Sequence, residues 1–176
     1  MIRNKQGFTI IETLAVLAII LVLMAAVSTL FVFSQRLFLS TSQRNSLHNS
    51  LRFTAERISK ELRFAFFLEL IDEPHWDVNG IDPNEYSYIY LDKDTNSVIM
   101  LDGEGSHILS EGKISDISFY GNVSTLLFTL EGEKGTVKYS LDSSVRLLNY
   151  RCNFQNPPHP IAIRFSMDPN VIIPEP

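Results

Sequence analysis

The chain has a single cysteine, Cys152. No intrachain disulfide can form, so oxidation cannot staple this fold. Proline and glycine, the two strongest helix breakers, are both missing between Phe8 and Leu70. Charge is missing between Thr13 and Gln35. The four histidines, His48, His75, His107 and His159, are scattered and lack the spacing of a metal site. There is no nucleophile elbow, phosphate-binding loop or zinc-protease helix. These absences set the expectation of no enzyme activity, no metal and no cofactor. Positive charge is scarce in the distal part: residues 71–176 hold 7 Lys/Arg against 16 Asp/Glu, and residues 1–70 hold 8 against 4. An acidic distal part is a poor ligand for nucleic-acid phosphates, so no direct nucleic-acid binding is expected.

What is present divides into two kinds of text. The 176 residues are 45% hydrophobic, enough for one domain with its own core plus an extra element. The stretch from Thr13 to Phe33 is almost wholly apolar. As a helix its 21 residues span about 32 Å at 1.5 Å per residue, close to a bilayer core of roughly 30 Å. Arg3 and Lys5 precede it, which places the N-terminus in the cytoplasm and the rest of the chain across the membrane. A secretory signal would be shorter and end at a small-residue site, for which Met24-Ala25-Ala26-Val27-Ser28 is a weak match. A plain signal anchor accounts for length and orientation. It does not account for Glu12, since a carboxylate at membrane depth costs roughly 2.5–3.5 kcal/mol or more.

The string Gly7-Phe8-Thr9-Ile10-Ile11-Glu12, behind a short basic leader and ahead of a long apolar helix, resembles the processing site of type IV pilins and type II secretion pseudopilins. The resemblance implies that a membrane-embedded prepilin peptidase cuts between Gly7 and Phe8 and methylates the new amino group of Phe8. It also implies that Glu12 pairs with the amino terminus of a neighbouring subunit and so fixes axial register. Implied partners are other pilin or pseudopilin subunits, the peptidase, an inner-membrane platform protein and membrane lipid. Thr29 stands where a kink-forming proline is common in major pilins, and the disulfide-closed loop of many major pilins cannot exist here. Both features point to a minor subunit. Leu51-Arg52-Phe53 through Arg63 is similar to the helix of minor pilins and J-type minor pseudopilins, and Ser143 to Asn149 to the strand that closes their sheet.

Beyond Phe33 the text turns amphipathic. Leu47, Leu51, Ala55, Ile58, Leu62 and Ala65 recur at helical spacing. Glu56 with Lys60, and Arg57 with Glu61, stand four apart as exposed pairs. Asp72-Glu73-Pro74 is the expected helix stop. Short strands separated by turns follow: Tyr86–Leu91, Val98–Leu101, His107–Leu109, Ile114–Tyr120, Thr125–Glu131, Thr136–Leu141 and Val145–Asn149. The tail from Asn156 is proline-rich and reads as an extended surface segment with one edge strand, Ile161–Phe165. Asp92, Asp94 and Asn96 imitate the start of a calcium loop, but Ser97 and Gly103 occupy its glycine and glutamate positions, so a polar turn is expected.

The expected fold is α+β: a long N-terminal helix, transmembrane in its first half, packed on an antiparallel β-sheet head. Its parts are a leader (1–7), a membrane and filament-core helix (8–35), an amphipathic helix (36–71), the head (72–155) and the tail (156–176). The expected function is that of a minor pilin or pseudopilin subunit entering, priming or capping a filament at the inner membrane. The alternative is a single-pass anchored binding module that forms no filament.

Overall fold

The computed structural model describes residues 9–72, 85–110, 113–149 and 154–170. Two compact units are present, Met1–Ser42 and Gln43–Pro176. A single helix, α1 (Ile10–Leu62), supplies all the described regular structure of the first unit and enters the second.

In the first unit α1 exposes its apolar side chains all round, from Ile10 through Leu39. It is long and apolar enough to cross a membrane, and none of its most apolar stretch is buried within the protein. Three of its hydroxyls are satisfied by the helix itself. Thr13 Oγ1 donates to the Ile10 carbonyl at 2.8 Å, Ser28 Oγ to Met24 at 2.8 Å, and Thr29 Oγ1 to Ala25 at 2.9 Å. A polar atom bonded inside its own helix can face hydrocarbon at low cost.

In the second unit the expected stripe is the one the structure buries. Leu47, Leu51, Ile58 and Leu62 are fully buried, with Ala55 and Ala65 beside them. They join one core with residues from two antiparallel sheets. The first sheet contains β1 (Phe67–Asp72), β8 (Pro160–Ser166), β2 (Ser87–Asp92), β3 (Ser97–Asp102) and β4 (Gly105–Ile108), in that spatial order. The second contains β5 (Ile114–Asn122), β6 (Thr125–Lys134) and β7 (Val137–Arg146). In β5 and β6 buried and exposed residues alternate, as a sheet with one face on the core requires.

Four expectations need correction. The helix stops at Leu62 and not at residue 71, because Phe67–Asp72 pairs with β8. The Phe66 amide already donates to the Ser166 carbonyl at 3.0 Å, so sheet pairing overrides helix propensity there. The tail contributes no edge strand: β8 lies between β1 and β2, with Ala162 and Ile163 fully buried. Pro160 sits at its first position, opposite the bulge at Asp72, where a missing amide disturbs the ladder least. The expected strands Thr136–Leu141 and Val145–Asn149 are joined, since β7 runs unbroken from Val137 to Arg146 and stops before Leu147–Asn149. Between them, the Asp142 carboxylate accepts from Thr129 Oγ1 across the ladder at 2.8 Å. Glu56 pairs with Arg52 at 3.0 Å rather than with Lys60, and Arg57 donates to the carbonyls of Ile108 and Leu109 rather than to Glu61.

The segment that leads into β8 also joins the two sheets. Asn156 lies against the outer edge of β5, where its Oδ1 accepts from the Gly121 amide at 2.7 Å and its Nδ2 donates to the Gly121 carbonyl at 2.9 Å. Phe154 covers the same glycine so closely that a Cβ there would fall 1.9 Å from the ring.

Candidate assembly site

Three sequence candidates are Gly7, Phe8 and Glu12. Gly7 and Phe8 lie outside the described residues, as do the leader, His75, Trp76, Cys152 and the stop at Glu73-Pro74. Glu12 is described, and its geometry is specific. It occupies the first turn of α1. Its Oε2 accepts from the Thr9 amide at 3.1 Å and from Thr9 Oγ1 at 3.2 Å. In return the Glu12 amide donates to Thr9 Oγ1 at 3.4 Å. This is a capping box: a threonine at the N-cap and a glutamate three residues on satisfy each other's backbone donors.

Thr9 is the member of this box that the resemblance alone did not single out. The signal was in the sequence, as a threonine three residues before a glutamate ahead of an apolar run. The box gives the carboxylate a fixed orientation at the positive end of the helix dipole. Both Thr9 donors converge on Oε2, and Oε1 carries no hydrogen bond among the described residues. Such a carboxylate can accept an ammonium group without first breaking its cap.

The described residues of the head bring together no comparable group. Three shallow grooves of about 540, 390 and 590 Å³ contain neither histidine nor cysteine in their linings. No group of three His, Cys, Asp or Glu that could hold a metal occurs among the described residues. The Asp92 turn joins β2 to β3 as expected. The Asp92 carboxylate accepts from the Asp94 amide at 3.0 Å and from Thr95 Oγ1 at 2.6 Å, so its oxygens serve the turn. The Thr95 bond first and the Asp94 bond second hold this carboxyl below its ordinary pKa.

Comparison with known proteins agrees with this placement. The family described as the prokaryotic N-terminal methylation motif matches residues 2–28. Two solved structures of the PilB minor pilin from Streptococcus sanguinis are similar in fold. One is a point mutant, with a TM-score of 0.54 at 18% identity over 74% of this chain. The other has a TM-score of 0.51 at 17% identity over 72%. The match covers 35% of each of those chains, so this chain corresponds to about a third of their length. No curated relative matches it. The fold is therefore that of a pilin, one long N-terminal apolar helix followed by antiparallel sheets, and the chain begins with the methylation motif of type IV pilins.

Proposed function

We propose that this chain, with a type IV pilin methylation motif at its start and a pilin fold behind it, is a minor subunit of a pilus-like or secretion filament. A prepilin peptidase cuts it between Gly7 and Phe8 and methylates Phe8. Before assembly the helix is held in the inner membrane, with Arg3 and Lys5 keeping the leader cytoplasmic. An inner-membrane platform protein then passes the subunit into the filament, where other pilins surround its apolar helix. Unpartnered in the membrane, the exposed apolar surface of residues 10–39 faces lipid.

The observation that carries this reading is the Thr9–Glu12 box at the head of the apolar helix. It holds a lone carboxylate within four residues of the amine that cleavage would create. In a filament core, a neighbour's amine meeting Glu12 forms a desolvated ion pair. Removing one member of such a pair costs about 3–5 kcal/mol, enough to exclude a subunit from an assembled filament.

Mass spectrometry of the mature chain tests the proposal. The expected product starts at a methylated Phe8, and Gly7→Leu leaves the leader attached. Glu12→Ala is expected to be processed normally and then to be missing from sheared filaments. A chain that keeps Met1, or loses Met1 alone, is a plain anchored module and refutes processing. Normal incorporation of Glu12→Ala refutes the register role.

A further inference from the structure

We propose that the open edge of β7 and the basic flank of α1 beside it form a docking groove for an extended acidic segment of a neighbouring polypeptide. The groove holds about 590 Å³. Leu141, Ser143 and Ser144 line one side of it. Neighbouring strand residues point to opposite faces of a sheet, so Ser143 and Ser144 together place the groove along the edge of the strand. The other side is α1, through Arg52, Ala55, Ser59, Lys60 and Arg63.

Three observations identify the occupant. First, β7 pairs with β6 along all ten of its residues, and alternate residues therefore point their amides and carbonyls outward. No backbone hydrogen bond among the described residues outside the ladders reaches Val137–Arg146. The outer edge of β5, by contrast, is capped at Gly121 by Asn156. A strand edge of this length without a neighbour among the described residues is a template for another strand.

Second, small side chains border the groove, Ala55 and Ser59 on the helix and Ser143 and Ser144 on the strand, leaving room for a main chain. Third, the charge is one-sided. Glu56 is the only acid among the described residues of the lining, and Arg52 holds it at 3.0 Å. Among the described residues no carboxylate forms an ion pair with Lys60 or Arg63. A strand laid along β7 would turn alternate side chains toward these cations, and Asp or Glu at those positions would complete them.

The full chain in nonionic detergent micelles is mixed with an octapeptide of alternating valine and glutamate, and amide exchange is followed residue by residue. With peptide at about ten times its dissociation constant, outward amides of Leu141–Arg146 are expected to exchange about tenfold more slowly. The double variant Lys60→Gln with Arg63→Gln is expected to bind about tenfold more weakly while melting within a few degrees of the parent, since both cations stand at the C-terminal end of α1. Three results overturn the proposal. The first is equal protection of the same amides by a valine–lysine octapeptide. The second is full competition by inorganic polyphosphate without protection of any β7 amide, which makes the groove a charge reader with no strand. The third is protection of the outward β7 amides in the free chain, which means that the chain fills its own edge.

Discussion

Replacing Gly121 with alanine tests whether the two sheets are held together where the structure places the join. An added Cβ would lie 1.9 Å from Phe154 Cγ, 2.1 Å from Cδ1 and 2.5 Å from its Cβ, against an ordinary contact of 3.4 Å. The Phe154 ring therefore has to retreat by 1.5 Å, the difference between 3.4 and 1.9 Å. It cannot do so alone, because Asn156, two residues on, is bonded to both the amide and the carbonyl of Gly121. Overpacking of this kind costs about 1–3 kcal/mol, and losing one of the two hydrogen bonds adds about 1 kcal/mol. The total, about 2–4 kcal/mol, should lower the melting temperature of the head by about 5–15 °C. The assay is thermal unfolding of the full chain in micelles, followed by near-ultraviolet circular dichroism. Phe154→Ala in the same chain removes the obstacle, so the double variant should be less destabilised than the two single effects added together. Additive effects, or a Gly121→Ala chain that melts as the parent does, would refute the account of how the sheets are joined.

Other expectations follow from single contacts. Thr9→Val keeps the volume and removes the capping hydroxyl, and should loosen the first turn of α1 by about 1 kcal/mol, seen as faster exchange of the Ile11 and Glu12 amides in micelles. Unchanged exchange would mean that the box does not hold in the membrane. Asp92 has a carboxyl held below its ordinary value of 3.8 by Thr95 and Asp94. A lowered folded pKa stabilises above the unfolded value and loses that contribution as pH falls through the folded one, so the hairpin weakens on acidification below about pH 4. Thr95→Val should flatten the melting-temperature profile in that range, and an unaltered profile would count against Thr95 as the first cause. Leu51→Ala, at a fully buried position on α1, should cost about 2–5 kcal/mol in the same melts, and a loss below about 1 kcal/mol would show that the core can close over the gap.

Local pattern determined the parts of this protein that depend on neighbours in sequence. Helical spacing of apolar residues is a property of nearby positions, and Leu47, Leu51, Ala55, Ile58, Leu62 and Ala65 are buried as that spacing requires. The apolar run, the methylation motif and the Thr9–Glu12 box likewise lie within a few turns of chain. The Asp92 turn was legible because Asp and Asn form their own local bonds.

Only the tertiary structure decided the rest, since its energy comes from residues far apart in the chain. Phe67–Asp72 carries no local signal strong enough to end a helix, and becomes a strand because β8, some ninety residues later, is its partner. Ile161–Phe165 read as an edge strand of a surface tail and lies inside the sheet, between β1 and β2, for the same reason. That Ser143 and Ser144 continue one strand with Val137–Leu141 was decided by β6 lying alongside them, and the edge they line came into view only then. Strand pairing satisfies backbone groups wherever a partner lies in space, so nothing in a short window of sequence can announce it.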